Sequence, residues 1–346
     1  KRVRNNIFCI FAPKIKFPKM KRHILLFITL IFSILTTFAQ RTPQQMAAVL
    51  QQMDERLDKY DYEVQLDSFY YECQRQIRLC DKKIEKGTPA AYAERAVWRA
   101  LLANAENLYL VEFGRKISER TALATDNEQD WHTWDYNKIS ADITRNYRLS
   151  LQDAYQSHTD SKTYLPIISS YTSYEHALLS VPDAYPTLYD LIAKDFSQKK
   201  NFHNRPSTRW ETYLSEDLTT LDLGTTDTLS SNYQLLRLYQ EMFRFHQDDV
   251  NKTSLLVWQL EFFNKIRNSC TEGIDIHTAA LDQYLERLEQ RYSHEPFAWI
   301  LFMEMGDYYS PKGWEPRDEN HYYKAVHYYQ LVREATATSH PKIAEE

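Results

Sequence analysis

Apolar side chains recur at three- and four-residue intervals along nearly the whole chain, the spacing that lines one face of an α-helix. After Thr42-Pro43, a cap followed by proline at the first helical position, they fall at Met46, Val49, Leu50, Met53, Leu57 and Tyr60. The next stripe runs through Leu66, Phe69, Tyr70, Cys73, Ile77, Cys80 and Ile84. Gly87-Thr88-Pro89 closes that helix and opens another, with Tyr92, Ala96, Ala100, Leu101, Ala105 and Leu108 on one face. Its alanines let a neighbouring helix approach closely, as in an antiparallel hairpin. Past a polar stretch around TDNEQD come Trp131 and Trp134, then a helix carrying Ile139, Ile143, Tyr147, Leu151 and Tyr155. Shorter helices are predicted around 171–180, 187–196 and 208–218. The Thr/Ser-rich stretch 219–232 reads as a linker. Three strong helices follow: NYQLLRLYQEMFRFH, SLLVWQLEFFNKIR and TAALDQYLERLEQRY.

The last pair, PFAWILFMEMGDYY and NHYYKAVHYYQLVREA, resembles a tetratricopeptide-type unit. Gly306 lies near the end of its first helix, Ala325 precedes Tyr329 by four, and Pro341 follows. The insertion SPKGWEPRDE in the turn departs from that pattern, and no clean second copy exists. The predicted fold is therefore all-α: stacked antiparallel helix hairpins, an α-solenoid or TPR-like array without substantial β-sheet. It divides into a helical region at 40–218, the linker at 219–232 and C-terminal hairpins at 233–346. Only six glycines occur, the closest pair seven apart, so no dinucleotide-binding, P-loop or serine-hydrolase glycine motif exists.

The first 39 residues differ in charge from the rest, with eight Lys/Arg and no acid. Met20 opens a run with the anatomy of a secretory signal: Lys21-Arg22, the apolar ILLFITLIFSILTTF, and small residues at Thr37 and Ala39 before Gln40. Cleavage is expected between Ala39 and Gln40, with 20–39 as the signal and 1–19 as upstream sequence outside the protein proper. An exported protein of the periplasm or cell envelope is implied, touching a membrane only through an uncleaved signal. With those eight removed from 42, 34 basic residues face 47 acidic ones, a net of −13. So acidic a surface repels phosphate backbones, which argues against nucleic acid as a partner. Cys73 and Cys80, seven apart on one helix, stand about 10 Å apart and beyond disulfide reach. Either can pair only with Cys270, and the alternative is three half-buried thiols.

Little else suggests catalysis, a metal or a cofactor. His294-Glu295 lacks the second histidine of a zinc motif, since position 298 is alanine. His321 and His327 are six apart, a poor match on a helix. Adjacent acids such as Asp248-Asp249 point apart on a helix. Asn251-Lys252-Thr253 has the form of a glycosylation sequon. The aromatic runs WHTWDY (131–136), DYYSPKGWEP (307–316) and HYYKAVHYY (321–329) serve either as packing or as a binding groove. The expected recognition element is Trp314, in a Pro- and Gly-bearing loop, forming an exposed contact with Tyr308 and Tyr309.

The phrase YPTLYDL (185–191) reads as a capped helix entry. Pro186 sits near the first turn, Thr187 and Asp190 match a capping box, and Leu188, Leu191, Ile192 and Phe196 form the stripe. Together with Ala96-Val97-Trp98, the W-x-x-W segment from Trp131 to Tyr136 and the late Tyr-Tyr-Lys-Ala-Val at 322–326, it resembles the N-terminal helical region of large exported bacterial alpha-2-macroglobulin-like proteins. That resemblance implies a non-catalytic module at the front of a longer, protease-trapping envelope protein. Its partners would be macroglobulin-type domains downstream, or another protein, with proteases engaged by the full-length protein. No CxEQ thioester motif occurs in these residues. The alternatives are a stand-alone helical-repeat protein binding peptide or glycan, and an α-toroid enzyme acting on polysaccharide through a hidden carboxylate pair.

Overall fold

The computed structural model describes residues 62–119, 130–164, 181, 183–200, 209–224, 230–270, 279–310 and 319–337. The stripe at 42–60, the helix expected at 171–180, the signal with Ala39 and Gln40, and the Trp314 loop lie outside them. Among the described residues there are ten α-helices and no sheet: α1 (Tyr62–Glu85), α2 (Ala90–Ser118), α3 (Tyr136–Ser157), α4 (Leu188–Lys199), α5 (Arg209–Ser215), α6 (Ser231–His246), α7 (Thr253–Cys270), α8 (Ala279–Tyr292), α9 (Ala298–Tyr309) and α10 (Glu319–Thr336). Helices adjacent in sequence pack together for the most part (α1 on α2, α2 on α3, α6 on α7, α9 on α10), as expected of stacked hairpins. None is long and apolar enough to cross a membrane.

The boundaries follow from local chemistry. Gly87 adopts a left-handed φ of 79°, which a Cβ disfavours. Its N–H donates to Ile84 O and that of Thr88 to Lys83 O, the paired bonds of a Schellman cap, before Pro89 leads into α2. Asp135 caps α3 by accepting from Lys138 N–H at 2.8 Å, and Ser230 caps α6 through Tyr233 N–H at 3.2 Å. Asn251, the sequon residue, accepts from Thr253 N–H at 3.0 Å at the start of α7.

Helix α2 departs from expectation. It buries not one stripe but nearly its whole circumference, including Ala91, Ala93, Val97, Trp98, Leu102, Ala103 and Glu106. It is a central helix touched by α1, α3 and α4, which small residues on several faces permit. Arg95 locks this centre. Its guanidinium grips Asp153 of α3 through two bonds of 2.8 and 2.6 Å and reaches Asp81 of α1 at 2.6 Å. Cys73 and Cys80 are free and fully buried rather than half-buried. Burial pushes both thiols up, Cys80 to about 12 and Cys73 well above its ordinary value.

The first part of the Thr/Ser-rich stretch is packed, not suspended. Leu218 and Leu223 are core residues, and Gln240 of α6 donates to the carbonyls of Leu218 and Leu221, both at 2.8 Å. Helix α5 packs on α8 across that stretch, so the two expected regions share one interface.

A Cβ at Gly306 would stand 2.6 Å from the Tyr329 ring of α10, so a larger residue there would have to displace that partly exposed ring.

Candidate functional site

The YPTLYDL segment is pinned at both ends. Ser161 N–H donates to Pro186 O and Leu188 N–H to Thr159 O, both at 2.9 Å, so the segment bridges to the chain just beyond α3. Thr187 and Asp190 then form the expected capping box at the start of α4.

Asp190 does more than cap. Its carboxylate is wholly buried. Oδ2 accepts from Thr187 N–H at 3.0 Å and from its hydroxyl at 2.6 Å. Oδ1 faces the other way, 2.7 Å from His246 Nε2 of α6 and 2.9 Å from Trp258 Nε1 of α7, which donates to it. His246 Nδ1 lies 2.7 Å from Asp249 Oδ2. One side chain thus joins three helices. Burial works to lower the His246 pKa, but the Asp190 bond, reinforced by Asp249, outweighs it and the net direction is upward. The stability this imidazolium contributes is fully present below its unfolded pKa of about 6.5 and is lost as pH rises through the higher folded value. The unfolding midpoint of the wild type minus that of His246→Gln is therefore expected to shrink as pH rises above about 6.5. A difference independent of pH would mean that His246 is buried neutral.

Asp195 and Glu106, two further buried acids, also join helices. Asp195 Oδ2 accepts from Asn104 Nδ2 and from the Tyr147 hydroxyl, both at 2.8 Å, and burial raises its pKa. Burial, followed by the charge of Asp142, holds Glu106 well above the usual carboxylate range, and Asn146 Nδ2 donates to both groups. Lys194 pairs with Glu261 across α4 and α7, and the Tyr185 hydroxyl donates to the same carboxylate at 3.0 Å. No group of three metal-ligating side chains exists among the described residues.

An open groove runs over this interior. Its volume is about 610 Å³, within the range of ligand-binding clefts. One wall is α3, with Arg148, Gln152 and Tyr155; the other is α6, with Tyr233, Arg237 and Glu241; Phe196 and Tyr189 of α4 supply the floor. The floor is set by Asp190, one residue beyond Tyr189, through its bond to α6.

The residues expected to form an aromatic contact lie elsewhere. Tyr308 and Tyr309 are only 2% exposed, which corrects the expectation of a surface pair. Helix α9 is enclosed by α7, α8 and α10, so both faces of its C-terminal turn are interior. The Phe263 ring meets Tyr308 edge-on at 5.3 Å, and the Tyr309 hydroxyl donates to Asp282 at 3.1 Å. In this part of the fold the exposed tyrosines are Tyr322, Tyr323 and Tyr329 of α10. Trp131 and Trp134, weighed as groove or packing, are both buried. The groove walls were missed because α3 and α6 read as ordinary amphipathic helices. Tyr155 continues the apolar stripe of α3 yet is 53% exposed, which nothing in the sequence distinguishes.

Comparison with protein-family models, with curated proteins and with solved structures finds no match to this chain.

Proposed function

We propose that this chain is a non-catalytic helical interaction module that seats a segment of a partner protein in the groove between α3, α4 and α6. The observation that carries this reading is the groove itself: open, mixed aromatic and charged, and built on a floor locked by a buried hydrogen-bond hub. Rigid scaffolds with a preformed cleft bind without first paying to order the site. We further place the module at the front of an exported alpha-2-macroglobulin-like envelope protein. The signal-like run at 20–39 and the motifs of 96–98, 131–136, 186–191 and 322–326 support that placement.

Selection of peptides from a random display library on the purified chain, followed by hydrogen-exchange mapping, tests the module. Protection is expected in α3, α4 and α6. Peptides that protect only other surfaces, or turnover of a polysaccharide panel by the chain, would overturn the reading. The parental assignment is tested separately by the reading frame beyond Glu346, where macroglobulin-type β-domains are expected and an immediate stop codon would exclude them.

A further inference from the structure

We propose that the groove recognises a proline-rich segment of its partner, held as a polyproline II helix, with apolar side chains three residues apart entering its two aromatic ends. This rests on the reading of the groove as a protein-binding surface and names what it selects.

The groove is aromatic at both ends and aliphatic between them. Helices α3 and α6 lie side by side in the same direction. At one end the Thr144 hydroxyl donates to Gln234 Oε1 at 3.3 Å, and at the other the Tyr155 and Phe245 rings meet at 5.8 Å. Phe196 stacks at 4.9 Å on Tyr147, one turn beyond Thr144, which places it at the first end with Tyr233, the neighbour of Gln234. Tyr189 meets Tyr155 edge-on at 5.7 Å and Phe245 at 5.0 Å, which places it at the second. Leu151 and Leu238 line the middle.

The spacing of the two ends selects among backbone conformations. Tyr189 and Phe196 are seven residues apart on α4, about 10 Å along its axis. A polyproline II helix presents the same face every three residues, about 9 Å. A β-strand repeats its face at about 7 and 13 Å, on either side of that span. An α-helix has a matching seven-residue repeat but is about 10–12 Å across, and walls whose side chains touch at both ends leave no such gap. Hydrogen-bonding capacity points the same way. Gln152, Tyr155 and Tyr233 line the groove and carry no side-chain hydrogen bond among the described residues. The amide and the two hydroxyls are donors. A proline-rich backbone offers carbonyl acceptors with no internal bonds and few N–H groups of its own. Its conformation is preformed, so little ordering entropy is lost on binding.

Fluorescence anisotropy on the full chain tests the proposal with two peptides of one composition, each labelled at its N-terminus and amidated. Pro-Gln-Gln-Pro-Gln-Gln-Pro has prolines three apart; Pro-Gln-Pro-Gln-Gln-Gln-Pro has them two and four apart. The first is expected to bind about tenfold more tightly, because the second seats only one ring at a time. Raising the salt concentration should leave that difference unchanged, since neither peptide is charged. Tyr155→Ala should bring the first peptide down to the affinity of the second. Gln152→Ala, at an exposed position, should weaken the first about threefold. Tyr155 is more than half exposed, so both variants are expected to melt close to wild type. Tyr323→Ala, which removes an exposed tyrosine of α10, should change neither affinity. Equal binding of the two peptides, binding of neither, a difference removed by salt, or indifference to both groove variants overturns the polyproline specificity. The groove reading then stands if display-selected peptides still protect α3, α4 and α6. Oligosaccharides that bind in place of every peptide, selected ones included, overturn the specificity and the groove reading together.

Discussion

Asp190→Ala is expected to lower unfolding stability by about 3–5 kcal/mol, the range seen when one partner of a buried charged pair is removed. The change strips an acceptor from four donors at once. Thr187 N–H and hydroxyl lose the reciprocal half of the capping box, worth about 1 kcal/mol by itself. His246 and the Trp258 indole N–H are left buried without their acceptor, in a site where water has no access. Asp190→Asn is the informative companion. Its amide keeps one oxygen for His246 and Trp258 but presents N–H groups to the Thr187 donors, so a smaller loss of about 1–2 kcal/mol is expected. Urea unfolding followed by far-UV circular dichroism ranks the three proteins. If alanine costs no more than the capping bond, the hub does not hold α4, α6 and α7 together. Because Tyr189 is the residue just before Asp190, the same variant should loosen the groove floor and raise hydrogen exchange in α4 and α6 first.

That hub also marks how far the sequence could be read. The Thr187/Asp190 box was legible because capping is a contact three residues long. The second oxygen of Asp190 was not, since its partners lie 56 and 68 residues away and only the fold brings them near. The turn at Gly87 was legible for the same local reason. Helix α2 was read as one-faced because its alanines were counted as a stripe. A helix apolar on several faces signals burial on several sides, and that is where it sits. Tyr308 and Tyr309 were misplaced by their neighbourhood: they precede a Pro- and Gly-rich loop, but their own helix is enclosed by three others. The groove could not be seen from either of its walls. Arg148 and Arg237 look like solvated helix charges until α3 and α6 are laid side by side.

Trp131→Ala is expected to cost about 3–5 kcal/mol, the usual range for truncating a buried tryptophan. Its indole lies flat on the Tyr70 ring of α1, centroids 4.5 Å apart and planes 2° from parallel, and against the Tyr109 ring of α2 at 4.4 Å. Removing it leaves a void between two helices already fixed to each other by Arg95, so collapse around the void is limited. The indole N–H also donates to Asp67 Oδ1 at 2.8 Å, and His132 Nε2 lies 2.5 Å from the same oxygen. Trp131→Phe separates the two contributions. Phenylalanine retains the stacking and forfeits the N–H, so a loss of about 1–2 kcal/mol is expected. The WHTWDY run was weighed as a binding surface or as packing, and these variants decide its weight in the fold. A Trp131→Ala protein that melts with wild type would mean that the turn at 131–133 is detachable from α1 and α2. A large loss for alanine with a small one for phenylalanine makes the ring the peg that closes the α1–α2 hairpin against the start of α3.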